Sequence, residues 1–258
     1  MNQEEKYALI TGATSGIGKA MAHLLAKEGY DLVLVARNED QLIELQRTLY
    51  EAYNKKIQVF RVDLTKVNEI DSLIQALDGQ ALKIDLCINN AGIGFYGLFE
   101  DVEVGDHLAV IDTNIKGFTY LTKMIKPYLK QGASLLQVAS TAAFAPGPYM
   151  ATYYASKSYV LSLSMAIRSE WQSEGIYVST LCPGPTKTDF IKKAQMQKVG
   201  LAQFTAMTPE AVAQIAYKGI RKQRAIIIPG ITNKIACLVM SILPIRLSTL
   251  LVRSTQKK

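Results

Sequence analysis

Tyr153 and Lys157 stand four positions apart in the stretch Tyr153-Tyr154-Ala155-Ser156-Lys157. On a helix that spacing puts both side chains on one face, one turn from each other. A free phenol loses its proton near pH ~10, and a neighbouring cation favours the phenolate and lowers that value. A phenol drawn towards neutrality can act as a general acid or base. The same pair also fits an ordinary amphipathic helix, so the rest of the chain has to decide between the two. Tyr154 differs from Tyr153 by about 100° around a helix and cannot face the same group. Tyr153, with its four-residue spacing to Lys157, is therefore the candidate acid, and Tyr154 a neighbour that lines or packs the cleft.

Other polar residues stand where such chemistry would need them. Ser140 lies just past an apolar run, in Val138-Ala139-Ser140-Thr141-Ala142. Asn114 falls within a helical stretch, Ile111 to Gly117, where asparagine is neutral to unfavourable by propensity. It needs a reason to be there, either a core hydrogen bond or a proton-relay role. Nearer the start, Gly12, Gly16 and Gly18 follow the apolar run Tyr7 to Thr11 and precede a helix carrying Ala20, Leu24 and Leu25. Glycines so placed allow a tight turn, close approach of backbone to a pyrophosphate, and a helix N-terminus facing the phosphates. Strand before and helix after is the context that a dinucleotide site requires. Thr14, Ser15 and Ile17 fill the turn, and the Ser15 hydroxyl is a further donor.

The next run ends in Ala36-Arg37-Asn38, where an NAD site carries an acidic residue for the ribose hydroxyl. Arg37 can pair with a 2′-phosphate instead, and the missing carboxylate removes a repulsion. NADP(H) is expected over NAD(H). Asn38 also fits an N-cap for the helix carrying Leu42, Leu45 and Leu49. Asn89-Asn90-Ala91-Gly92 follows the fourth apolar run and suits a sharp turn passing close to a ribose.

These residues need a scaffold, and the chain supplies one. Apolar runs at Tyr7 to Thr11, Leu32 to Ala36, Ile57 to Val62, Ile84 to Ile88, Ser134 to Val138, Ile176 to Leu181 and Ala225 to Ile228 read as strands, separated by helical patterns. One such helical region extends to about Leu129, and another starts at Thr208-Pro209-Glu210, an N-cap followed by proline. The alternation predicts an α/β single-domain Rossmann fold. Its doubly wound, mostly parallel sheet has about seven strands in the order 3-2-1-4-5-6-7, with helices on both faces. Residues 1–230 make up that domain. The stretch from about 186 to 207 does not fit the alternation, and a long loop in a compact domain is usually functional, here a lid over the site.

Composition narrows the classes further. The 258 residues, 49% hydrophobic and 20% charged, are those of a folded globular chain. The formal charge of +7 is spread along the sequence rather than gathered into a basic run with aromatics, which argues against nucleic-acid binding. Cys87, Cys182 and Cys237 have no metal-ligand spacing and suit buried, reduced thiols, so no metal is expected. The polar start, Met1 to Lys6, runs directly into a strand, and the expected location is cytoplasmic.

Together these motifs resemble the short-chain dehydrogenase/reductase family in its compact, NADP-preferring form, over about residues 6 to 230. Thr11-Gly12, Gly16, Ile17 and Gly18 match its nucleotide motif, and Asn89-Asn90-Ala91-Gly92 its sheet-stabilising motif. Pro183-Gly184 through Thr186 and Thr188 match its nicotinamide-side motif, and Asp63-Leu64 the pair that contacts adenine. Asn114, Ser140, Tyr153 and Lys157 fall on its catalytic tetrad. The resemblance implies that Tyr153 is the general acid while NADPH delivers hydride. It makes Lys157 the group that lowers the tyrosine pKa and holds the nicotinamide ribose, Ser140 a donor to the substrate oxygen, and Asn114 the holder of a relay water. The substrate is then a carbonyl or alcohol, with a lean towards a hydrophobic ketone or aldehyde, and the assembly a homodimer or homotetramer. A catalytically silent regulatory or scaffold protein on the same fold is the alternative, as is a membrane-surface lipid, steroid or 3-ketoacyl reductase. Residues 231–258 form an apolar and basic extension, too short and too divided by Lys234, Pro244 and Arg246 to span a bilayer. It can pack on the lid or a second subunit, or rest in a membrane interface.

Overall fold

A computed structural model describes residues 5–190 and 206–256. Seven parallel strands form one sheet: β1 (Tyr7–Thr11), β2 (Asp31–Ala36), β3 (Ile57–Arg61), β4 (Ile84–Asn89), β5 (Leu129–Val138), β6 (Tyr177–Leu181) and β7 (Ile226–Ile227). Their order is β3-β2-β1-β4-β5-β6-β7, as the alternation in the sequence predicts. The order reverses between β1 and β4, and at such a point the carboxyl ends of the strands open a crevice.

Side chains alternate across each strand, and both faces are covered. Ala8, Ile10, Leu32, Leu34, Leu86, Ile88 and Leu136 pack on one face against α1 (Gly16–Lys27), α2 (Glu39–Tyr53) and α7 (Pro209–Arg221). Leu9, Val33, Val35, Cys87, Leu135 and Val178 point the other way. They meet α3 (Val67–Gly79), α5 (Phe118–Ile125) and α6 (Ala151–Trp171). Two-sided burial is why the strands read as unbroken apolar runs. Each fully buried leucine or isoleucine contributes roughly 1.5–3 kcal/mol. Both expected caps form: Asn38 Oδ1 accepts from the Gln41 amide at 2.9 Å, and Thr208 Oγ1 from the Ala211 amide at 3.2 Å, with Pro209 opening α7.

The region before β5 differs from the expected single helix followed by a strand at Ser134. α4 (Val104–Ile111) runs into a wide, i→i+5 bonded turn, Asp112–Gly117, and only then into α5. β5 begins at Leu129, which pairs with Ile84; the next pairing joins Leu86 to Ser134, so Lys130 to Ala133 bulge out of the ladder. Polar residues and Gly132, at φ +85°, hide the strand's start from a hydrophobicity pattern.

The extension folds into α8 (Ile231–Ile242) and α9 (Ile245–Gln256). Leu243 is extended and Pro244 follows it, which breaks the helix there. Among the described residues no helix is long and apolar enough to cross a membrane. Cys87, Cys182 and Cys237 are buried and free, as their spacing predicts.

Candidate active site

The crevice is built on a hydrogen-bonded knot between the turns that follow β1 and β4. Thr11 Oγ1 accepts from the Asn90 and Ala91 amides at 2.9 and 3.0 Å and donates to Asn89 Oδ1 at 3.3 Å. Asn90 returns the link, its Nδ2 donating to the Thr11 and Gly12 carbonyls. Asn89 Nδ2 donates to the Phe118 carbonyl and to Thr122, tying in α5. Gly12 sits at φ +63°, and a Cβ on Gly18 would run into the Gly12 carbonyl. The glycine turn therefore closes only with hydrogens at those positions. α1 starts behind it with no side-chain cap and no acidic residue in its first turn. Its free amide groups, beside Thr14, Ser15, Gly16 and Ile17, form a seat for an anion.

Asn114, Ser140, Tyr153 and Lys157 converge at the carboxyl edge of the sheet. Ser140 lies two residues past the end of β5, accepts from the Ala142 amide at 3.1 Å, and is hydrogen-bonded to the Tyr153 phenol. Lys157, one turn along α6, is 5% exposed and donates to the Val138 carbonyl at 2.9 Å. Its Nζ lies 5.8 Å from the centre of the Tyr153 ring. Asn114 owes its position to the wide turn. It is buried and clamps Ile93 in both directions, accepting from its amide and donating to its carbonyl, each at 2.9 Å. It also donates to Ser156 Oγ at 3.0 Å, which donates to the Tyr153 carbonyl at 2.7 Å. A methyl on Gly92 would stand 3.1 Å from Lys157 Nζ and 3.3 Å from Asn114 Oδ1, so these two polar atoms flank a small gap.

The remaining candidates lie along the rim. Arg37 is exposed at the end of β2, while the Asn38 side chain is committed to its cap. Asp63 accepts from the Thr65 amide and hydroxyl. Leu64 is buried in the core, so only its backbone can meet a ligand. The Pro183 carbonyl accepts from Ser140 Oγ at 3.4 Å and from the Thr141 amide at 3.0 Å. Thr186 Oγ1 donates to the Gly184 carbonyl, and Thr188 packs its methyl against Gly16. Thr186 bridges to Met207, so both ends of the expected lid are pinned together. Residues 191–205, most of that segment, lie outside the described residues.

Known proteins place this geometry. The family described as short chain dehydrogenase matches residues 6–199. The chain belongs to the short-chain dehydrogenase/reductase family. It is 32% identical over 206 residues to a 3beta-hydroxysteroid dehydrogenase of Mediterraneibacter gnavus, covering 79% of this chain and 74% of the relative. A short-chain dehydrogenase from Sphingobium yanoikuyae, solved in complex with NADPH, superposes with a TM-score of 0.81 at 27% identity, covering 93% of this chain and 96% of that one. A 3-ketoacyl-(acyl-carrier-protein) reductase from Brucella melitensis, complexed with NADH, does so with 0.76 at 27% identity, covering 88% and 98%.

In this short-chain dehydrogenase burial dominates the electrostatics of the tetrad. Burial pushes the Tyr153 phenol up to about 12, opposed only by the Ser140 hydrogen bond. The Lys157 ammonium donates to the Val138 carbonyl and is itself held down at about 8 by burial. The two groups share a poorly solvated environment that disfavours charge on either. At Asp63 burial pushes the carboxyl up, but the Thr65 amide and hydroxyl bonds, with Arg37 and Lys66 nearby, outweigh it and hold the group below its ordinary value.

Several residues of the site escape a sequence reading. Gly94 has no room for a side chain, since a Cβ would come within 2.8 Å of the Tyr153 ring and 3.1 Å of Phe190. Phe190 packs on Tyr153 with ring centres 5.3 Å apart. Gln256, near the other end of the described chain, donates from its side chain to the hydroxyl of Tyr154, the neighbour expected to line the cleft. The only available signal is Gly94 itself, two positions beyond Gly92; the rest are contacts between distant segments.

Proposed function

We propose that this oxidoreductase is an NADP(H)-dependent carbonyl reductase, reversible as an alcohol dehydrogenase, acting on a hydrophobic ketone or aldehyde. The meeting of Tyr153, Ser140 and Lys157 at the crevice, with Asn114 behind them, carries this reading. The bound nicotinamide supplies or accepts hydride. A phenol held protonated at ordinary pH is a proton donor, so Tyr153 protonates the substrate oxygen while the Ser140 hydroxyl donates a second hydrogen bond to it. Burial disfavours the phenolate left behind and disfavours the Lys157 ammonium as well, so Tyr153 would regain its proton by way of Lys157. A water in the gap between Lys157 Nζ and Asn114 Oδ1 would resupply Lys157, and the ammonium has donors left for a ribose hydroxyl.

The glycine turn and the uncapped start of α1 suit a pyrophosphate, with Thr14, Ser15 and Ile17 beside it. Asp63, Leu64, Asn90, Ala91, Gly92, Pro183, Gly184, Thr186 and Thr188 would border the rest of the dinucleotide. The preference for NADP(H) rests on Arg37 beside Ala36; the two similar structures, one with NADPH and one with NADH, leave the choice to such local residues. A hydroxysteroid-oxidising relative supports an apolar substrate; an apolar cavity of about 620 Å³, lined by Ala143, Phe144, Pro146, Tyr154, Met240 and Leu243 among others, lies next to the tetrad on the Tyr154 side, although Asn114, Ser140, Tyr153 and Lys157 do not line it. In this reading residues 1–230 are the catalytic domain, working in the cytoplasm, and 186–207 its lid. Exposed Val104, Leu108 and Ile111, at helical spacing on α4, suit the subunit contact of a homodimer or homotetramer.

Purified protein supplied with NADPH and a panel of ketones and aldehydes should consume the cofactor with the more apolar members. Tyr153→Phe should lower kcat by about 10²–10⁴-fold while leaving cofactor affinity within about twofold; near-normal turnover would remove Tyr153 from the acid role. In fluorescence titrations NADPH should bind more tightly than NADH, and Arg37→Ser should narrow the gap. Equal affinities in the unaltered protein would refute the NADP assignment.

A further inference from the structure

The last two helices carry their apolar residues on the side that a globular fold does not bury. In α8, Ile231, Ile235, Leu238, Val239 and Ile242 recur at helical spacing and all face outward, with Ile235 58%, Leu238 65% and Ile242 74% exposed. The opposite face, turned to the body of the molecule, carries Asn233 and Cys237, and Asn233 bonds the Pro229 carbonyl at 2.7 Å. In α9 the buried positions are Ser248, Val252 and Gln256, while Leu247, Leu250 and Leu251 are exposed. Ile242 and Ile245, on either side of Pro244, join the two outward faces. A helix packed by its hydrophobic stripe shows the reverse arrangement, and an apolar patch of this extent marks an interaction surface.

The charges around it select the partner. Lys234, Arg246 and Arg253 are exposed along the same two helices, and the sequence from 231 to 258 contains no aspartate or glutamate. We propose that α8 and α9 form a monotopic docking face for an anionic lipid bilayer, with the apolar stripe in the interface and the cations at lipid phosphate and carboxylate groups. Two-fold pairing with a second copy would bring the same cations together with no carboxylate in the patch to offset them. Spanning is excluded for these helices: each is 12 residues, roughly 18 Å, against a hydrocarbon core of about 30 Å. The face is held firmly, since the Tyr96 hydroxyl donates to the Gln256 carbonyl at 2.6 Å and the Gln256 side chain reaches Tyr154. Met240, Leu243 and Ile245 also line the apolar cavity, so the docked helices form one wall of that space.

Flotation of the full chain with phosphatidylcholine vesicles, with and without phosphatidylserine, tests the proposal without depending on turnover. The chain should float with the anionic vesicles, and at least about tenfold less with neutral ones or in high salt. The combined Leu238→Gln, Ile242→Gln and Leu250→Gln variant should keep its thermal midpoint, because these side chains touch solvent, and should lose vesicle binding at least about tenfold. Failure of the unaltered chain to float with anionic vesicles overturns the proposal. So does a triple variant that still floats as well as the unaltered chain. If vesicles never capture the chain and sedimentation velocity shows the triple variant converting a dimer to monomers, the face is a subunit contact instead.

Discussion

Lys157 keeps an ammonium where water barely reaches it, and a pH dependence follows. Its value in the folded protein, about 8, lies below the ~10.4 of an unfolded chain. Below pH 8 both states are protonated and the folded state carries the full cost of the buried charge. Between about 8 and 10 the folded state gives up its proton first, so this group's contribution to stability rises with pH. Buried Cys87 and Cys182, pushed up by burial to about 12, act in the opposite direction above pH 9. The difference between proteins is therefore the useful readout. The thermal midpoint of the unaltered, cofactor-free protein, measured against that of Lys157→Met, should climb between pH 8 and 10; parallel curves would mean that Lys157 is not held as a strained cation. At this scale the sequence exposes Tyr153 and Lys157 through their four-residue spacing, Ser140 as a hydroxyl just past an apolar run, and Asn114 as an asparagine out of place in a helical stretch; only the family resemblance joins the four into one set. It does not expose how Tyr153 is tuned, which depends on burial.

The elements carry the site through backbone bonds that span the sheet. Thr11 is the clearest case, one hydroxyl serving two amides and an asparagine from the turn after β4. Thr11→Val keeps the shape and leaves those groups without their partner, which should cost about 2–3 kcal/mol. Thr11→Ser should restore most of it, and thermal or urea unfolding of the three proteins measures both effects. A valine variant as stable as the serine variant would show that the knot is dispensable. Strands and capped helices are legible because two-sided burial and caps at Asn38 and Thr208 leave local marks. The wide turn at Asp112–Gly117 leaves only an out-of-place asparagine. α8 and α9 are hidden for a different reason: without acidic residues and with their apolar side outward, they read as a hydrophobic tail rather than as helices packed on a fold.

The molecule as a whole brings the far end of the chain back to its middle. Gln256 meets Tyr154, the neighbour of Tyr153, and Tyr96 meets Gln256. Removing everything after Pro229 leaves β7 in place but opens the cavity and strips Tyr154 of its partner. The truncated protein should show a KM for bulky apolar ketones raised about tenfold or more, as expected from the loss of one wall's apolar contacts, with kcat for small ketones largely kept. An unchanged KM ratio would mean that the wall takes no part in selection. The wide turn also bears on which genetic changes this fold can survive. A regular helix advances 100° per residue, and the turn at 112–117 absorbs a residue beyond that count, so that Val110 before it and Phe118, Leu121 and Ile125 after it can all face inward. A three-nucleotide deletion within these six codons would remove the extra residue and let α4 run into α5 as one regular helix, so that α5 kept its inward face while Asn114 lost the wide turn that sets its place. Here the number of residues is under tighter constraint than most of their identities.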